Sequence, residues 1–352
     1  MARPTPNRFQ TVAVGWYDIC VAPRGVAMRR REFITLLGGA ATWPFAASAQ
    51  QSAMPVVGFV NSSSAQAQVA TAAAYRRGLE DSGFVEGKNV LIERRWADGQ
   101  YSRLPELVGD LIKLNAAVLM AGGPPAAQAA KKATSTIPIV FTSGDDPVQA
   151  GLVSSINKPG GNVTGVYIFF SEVEPKKLGL LRELVPNAGL IVALVNPSFP
   201  AVKTQTQGLQ AAANALGQRI EIINAGSEHD LDAAFASMKQ LQAAATLVGS
   251  DPFFASRRDH ILSLAAQYAI PAIYEQRSFA AAGGLMSYGT NLAEAYRQAG
   301  VYTGRILKGE KPSELPVLLA NKFEFVINLK VAKTLGLTVS PNLLSTADDV
   351  IE

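Results

Sequence analysis

The chain has 352 residues, 48% of them hydrophobic and 17% charged, with 32 Lys and Arg against 28 Asp and Glu. The basic excess is confined to residues 1–49, where six Arg stand against Asp18 and Glu32, and the remainder carries 26 of each sign. A neutral body of ordinary globular composition offers no electrostatic footprint for nucleic acid or for an anionic membrane.

Met28-Arg29-Arg30-Arg31 opens a basic segment, Ile34–Ala47 is apolar but broken by Gly38, Gly39 and Pro44, and Ala47-Ser48-Ala49 has the small-x-small form of a cleavage site. The apolar run is shorter than the roughly 20 residues a membrane span needs. Residues 1–49 are therefore expected to be an export leader, with the true start at Met28 and cleavage after Ala49. Arg30-Arg31 also fits a twin-arginine signal. The only cysteine, Cys20, falls in this region, so the mature chain is expected to be a disulfide-free periplasmic protein with no membrane insertion.

Beyond the leader, strand and helix patterns alternate. Strands are expected at Val56–Val60, Asn89–Arg94, Ala117–Met120 and Ile139–Phe141, with helices ending near Asp81, Leu114 and Lys132. Pro147 is expected to start a short helical segment, and Lys158–Asn162 is a turn before a strand-like run at Val163–Phe170. The series then recurs: strands at Ile191–Val195, Arg219–Ile223, Ala245–Val248 and Ile270–Tyr274, with helices between. Three landmarks align, Val60-Asn61 with Val195-Asn196, Pro124 with Pro252, and Ile137-Pro138 with Ile270-Pro271. Further elements follow: a strand at Gly284–Tyr288, a long helix at Leu292–Leu307 and a strand at Phe323–Asn328. The fold class is α/β, two βαβ lobes with parallel sheets, joined by a chain that crosses more than once. A cleft between two such lobes suits a small ligand.

Several chemistries lack their residues. His229 and His260 are the only histidines, without metal partners at suitable spacing, and no Gly-x-Ser-x-Gly elbow or dinucleotide fingerprint appears. No metal or cofactor is expected. Carboxylate pairs such as Asp145 and Glu275 keep an α/β enzyme open as an alternative, as does a ligand-sensing module.

Asp146–Val153 with Pro159–Gly165, Ser287-Tyr288-Gly289, Ala299–Pro316 and Phe325–Leu329 together resemble a family of ABC-transporter substrate-binding proteins, better known through its tryptophan/tyrosine-type periplasmic members. The resemblance implies a type I periplasmic binding fold with three crossovers, and a monomer that delivers a solute to a membrane permease. Expected boundaries are 54–166 plus about 276–316 for lobe 1 and 167–275 plus about 317–346 for lobe 2. Crossings are expected near Val166–Phe170, Tyr274–Arg277 and Pro316–Lys322.

Ligands of open α/β sheets bind beyond the carboxyl ends of the strands. That rule nominates Asn61, Ser62, Ser63, Gly122, Gly123, Thr142, Ser143 and Asp145 in lobe 1. In lobe 2 it nominates Asn196, Ser198, Ser250, Asp251, Tyr274 and Glu275, and the family motif adds Tyr288. Several of these can equally be helix caps. The inventory has no arginine cluster for a phosphate, so an amino acid or related aromatic acid is expected. Its carboxylate would lie on Ser62-Ser63 or Thr142-Ser143, its ammonium on Asp145, Asp251 or Glu275, and its apolar part near Tyr274 or Tyr288.

Overall fold

In the computed structural model the described residues are 54–352, less the side chains of residues 170–172. The expected leader, Cys20 and the ring of Phe170 lie outside them.

The first half of the repeat supplies β1 (Val56–Asn61), β2 (Leu91–Trp96), β3 (Val118–Gly122), β4 (Ile139–Ser143) and β5 (Val163–Tyr167). The second supplies β6 (Ile191–Val195), β7 (Ile220–Asn224), β8 (Ala245–Val248), β9 (Ala272–Tyr274) and β10 (Met286–Thr290). Three later strands complete the sheets: β11 (Leu318–Leu319), β12 (Phe323–Asn328) and β13 (Asp349–Ile351). The sheet orders are β11-β5-β4-β3-β1-β2 and β13-β12-β10-β9-β8-β6-β7. Read from the second strand of each half, both give 2-1-3-4-5, so the internal repeat is one topology used twice. All pairings are parallel except β10 with β12.

Both faces of each sheet are covered, and the strand period sorts side chains between them. On β3, Val118 and Met120 join one core while Leu119 and Ala121 join the other. On β6, Val192 and Leu194 face one core and Ile191 and Ala193 the opposite one. Helices 69–81 and 292–307 meet backbone to backbone on the first sheet. A Cβ on Gly78 would enter the Arg297 carbonyl, and one on Gly300 would enter the Tyr75 carbonyl. Only glycine permits that approach.

Two local expectations need correction. Pro147–Gly151 is a run of turns rather than a helix. Asp146 Oδ1 accepts from Val148 N at 2.8 Å and Gln149 N at 3.1 Å, and Gly151 at φ 69° ends the run. The second crossing is at Thr290–Leu292, not Tyr274–Arg277. β10 pairs with β9 and β12, which keeps residues 277–290 with the second sheet. The remaining crossings fall at 167–170 and 319–323, as the sheet membership of β5, β11 and β12 requires. Helix 341–345 and β13 add an edge to the second sheet. Among the described residues no helix is long and apolar enough to cross a membrane.

Candidate functional site

The carboxyl ends of β1, β3 and β4 face those of β6, β8 and β9 across the gap between the halves. The repeat is visible there in hydrogen bonds. Asn61 Oδ1 accepts from Ser63 N at 2.8 Å, and Asn196 Oδ1 accepts from Ser198 N at 3.0 Å, the same turn at the end of the first strand in each half. Pro124 and Pro252 each start a helix at its first position, where the missing N–H costs nothing.

On one side the halves are joined. The Tyr101 hydroxyl of the first half donates to Asp251 of the second, with its oxygen 2.8 Å from Oδ1 and 2.9 Å from Oδ2. Asp251 also accepts from Phe253 N at 2.7 Å and from Asn196 Nδ2 at 3.3 Å. Ser63 Oγ lies 3.1 Å from Ser256 Oγ, Gln66 reaches Asp259, and Arg257 donates to the Asp98 carbonyl. Asp251 is thus both a helix cap and the anchor of a closed edge.

At the depth of the cleft Asn61 Nδ2 donates to Tyr296 Oη at 2.8 Å, and Thr142 reaches the same phenol. A cavity of 40 Å³ remains here, bounded by Asn61, Ser63, Gly123, Thr142, Asp251 and Glu275. On the opposite side the gap opens into a cavity of 670 Å³, within the size range of small-molecule sites. Its first-half wall includes Gln128, Asp145, Asp146 and Tyr167, and its second-half wall Glu174, Phe199, Thr204 and Gln205. Among the described residues no Lys, Arg or His lines either cavity.

The acidic groups differ in how they are held. Asp146 is spent on the turn it caps. Asp145 Oδ1 is buried with no hydrogen-bond partner, and burial, then the Asp251 charge, pushes its carboxyl up to about 7. Burial also raises Glu275 to about 7, partly offset by Lys177, and Asp251 to about 6 despite its hydrogen bonds. Glu174 and Lys177 form a fully enclosed pair, 3.0 Å apart. Lys177 Nζ also donates to the Val248 carbonyl at 2.7 Å, and Glu174 Oε1 accepts from Ser250 N and Gln205 Nε2. That lysine is therefore committed below the cleft floor.

Seven of the fifteen nominated residues, Asn61, Ser63, Gly123, Thr142, Asp145, Asp251 and Glu275, line one of the two cavities. Ser62, Ser143, Gly122, Asn196, Ser198 and Ser250 stand at strand ends without lining either cavity. Ser62 Oγ accepts from Ala126 N, Ser143 Oγ from Asp145 N, and a Cβ on Gly122 would collide with Asn61. Tyr274 is buried in the second-half core, stacked on Phe279 at 4.6 Å, and Tyr288 stacks on Phe323 at 5.8 Å. Neither ring lines these two cavities; Tyr167 and Phe199 do. Sequence reasoning missed Tyr101, Gln205, Tyr296 and the Glu174–Lys177 pair. All four lie within helical stretches or their approaches, where an inward-facing polar group looks like any surface residue.

A family model described as ABC transporter substrate binding protein matches residues 55–351. A tyrosine-binding protein of Clostridioides difficile (strain R20291) is 29% identical over 269 residues, 74% of this chain and 75% of that one. The ABC domain from Streptococcus pneumonia in complex with L-Trp superposes with a TM-score of 0.76 at 26% identity, over 84% of this chain and 99% of that one. A ligand-free, open substrate-binding protein with adhesive properties from Clostridium difficile superposes with 0.60 at the same identity and coverage.

Proposed function

The chain belongs to the ABC transporter substrate-binding protein family and has the type I periplasmic binding fold, and on that premise we propose that it is an exported protein that captures an amino acid between its halves and delivers it to an importer permease. The observation that carries this reading is Asp145. Its side chain lines a 670 Å³ cavity that no described Lys, Arg or His lines, and its Oδ1 is buried without a hydrogen-bond partner. A ligand ammonium supplies the missing cation and donor together. Tyr167 and Phe199 on the same walls provide apolar area for a side chain, in line with the tryptophan and tyrosine ligands of the relatives. The enzyme alternative rests on Asp145 and Glu275, which line different cavities.

Calorimetric titration of the mature protein with the standard amino acids tests this. Losing the partner of a buried ammonium costs about 2–5 kcal/mol, so Asp145→Asn should weaken the best ligand at least tenfold, about 1.4 kcal/mol. An unchanged affinity would remove Asp145 from the site.

A further inference from the structure

Among the described residues five that are not glycine have positive φ: Asp98, Asn115, Phe169, Gln242 and Ala269. Three of them are ordinary helix ends. Asn115, Gln242 and Ala269 each stand one residue past a C-cap. The amide after each bonds back into the last turn, Ala116 N to the Leu111 carbonyl, Ala243 N to that of Met238 and Ile270 N to that of Ala265. Asp98 lies in the turn after β2, beside Gly99, and aspartate tolerates that region. Phe169 fits neither case. It is the N-cap of helix 170–184, a position whose backbone is ordinarily extended, yet its φ is 48° and its ψ 58°, with no side-chain cap bond. A bulky aromatic residue is strained there, and such strain persists only where the surroundings over-determine it.

Here they do so from both ends. Ile168 N donates to the Ser143 carbonyl at 2.9 Å, and the Ile168 carbonyl accepts from Thr290 Oγ1 at 2.8 Å. The Tyr167 carbonyl accepts from Ala320 N at 2.9 Å. Up to Ile168, then, the first crossing is pinned to β4 and to both other crossings. On the far side helix 170–184 is locked to the second half. Leu178, Leu181 and Leu184 join a core of that half, and Lys177 Nζ donates to the Val248 carbonyl. Phe169 lies between the pinned strand end and the docked helix. Its ring rests against Tyr167, with centroids 4.2 Å apart and planes inclined by 33°. Tyr167 in turn lines the 670 Å³ cavity.

We infer that Phe169 is the pivot on which the halves close, and that Tyr167 is the positioning residue that holds it. The halves are joined at Tyr101 and Asp251, so the left-handed backbone at Phe169 belongs to the closed arrangement. Opening swings helix 170–184 away by returning Phe169 to negative φ, which releases the strain and parts the two rings. The ring contact is what the closed arrangement sets against that strain. A ligand packed on Tyr167 in the cavity favours closure through a contact that differs between the two states. The pivot itself is independent of the ligand's identity, and only this last coupling rests on the amino-acid reading above.

Residues 50–352 contain no cysteine, so Val148→Cys and Lys203→Cys can each carry a spin label. Both positions are exposed and adjoin cavity-lining residues, one in each half. Pulsed electron resonance distances between the labels give the closed-to-open ratio of the ligand-free protein. Phe169→Gly and Phe169→Ala both remove the ring, and only alanine keeps the cost of left-handed backbone. The glycine variant should exceed the alanine variant in that ratio by about fivefold or more. Both states compared are folded, so the unfolded chain does not enter. Tyr167→Leu should lower the ratio by about threefold or more when Phe169 is present. In the Phe169→Gly background it should change nothing, which a merely structural tyrosine would not show. Should either truncation fail to fold, Phe169→Asn and Phe169→Leu are a second pair of similar size, and asparagine, the more tolerant of positive φ, should give the higher ratio. Equal ratios within the pair would overturn the pivot, and a Tyr167→Leu loss that persists beside glycine would remove Tyr167 from its control. Calorimetric titration of the same variants with L-tyrosine and L-tryptophan reads the coupling, since apparent affinity should follow the closed fraction; affinities that ignore it would overturn that coupling. The labels need no ligand, so the pivot can fail while the amino-acid reading stands. A wild-type protein that binds neither amino acid loses that reading, and the distances still decide the pivot.

Discussion

Replacing Tyr101 by Phe removes one hydroxyl and keeps the ring, which packs against the cores of both halves. That hydroxyl holds Asp251 across the cleft at 2.8 Å, and Asp251 titrates near 6, so at pH 7.5 it is ionised. A hydrogen bond to a charged group contributes about 1.5–3 kcal/mol net. Asp251 keeps Phe253 N and Asn196 Nδ2, so its burial in the second half stays compensated. The loss therefore falls on the contact between the halves and not on the fold of either. It shifts the closed-to-open ratio by about 10- to 150-fold, since 1.4 kcal/mol is a factor of ten. A ligand that needs the closed arrangement loses affinity by the fraction of closed protein lost. Small-angle scattering of ligand-free Tyr101→Phe should give a larger radius of gyration than wild type, returning to the wild-type value when amino acid is added, with a weaker Kd by calorimetry. Identical scattering curves and an unchanged Kd would show that the Tyr101–Asp251 contact does not govern closure.

Asp145 and Glu275, raised to about 7 from ordinary values of 3.8 and 4.5, hold protons more tightly folded than unfolded. Asp251 at about 6 does the same, and Lys177, paired with Glu174, is the cation facing this group. Raising pH from about 4.5 to 8 therefore costs the ligand-free protein stability, and its melting temperature should fall across that window. A bound ammonium reverses the sign, so the ligand-induced rise in melting temperature should grow with pH; calorimetric scans that are flat in both states would refute the assignment. Lys177→Met breaks an enclosed ion pair and strands Glu174, with an expected loss of about 3–5 kcal/mol in urea unfolding. A loss below 1 kcal/mol would refute this reading of the pair.

Much of this molecule was legible as pattern. Alternating apolar runs located the strands of both halves because burial on two faces demands them, and turn chemistry marked where they end. The recurrence of Asn61 and Asn196, and of Pro124 and Pro252, reported a duplicated topology, since equal backbone turns call for equal residues. The strand-end rule then reached Asp145, Asp251 and Glu275 without any coordinates. The sequence alone could not separate their roles, because adjacent acids such as Asp145 and Asp146 read alike whether they cap a turn or face a cavity. Only the folded chain decided that, by placing Val148 N and Gln149 N on Asp146 and nothing on Asp145 Oδ1. The second crossing moved to Thr290–Leu292 for the same kind of reason. Residues 277–290 have no local signal for which sheet they join, and pairing with β9 and β12 settles it. Tyr101, Gln205 and Tyr296 are likewise tertiary decisions, since their partners Asp251, Glu174 and Asn61 lie 150, 31 and 235 residues away along the chain. Local sequence sets what each segment can form, and contacts at such separations choose which polar groups are satisfied and which are left unpartnered.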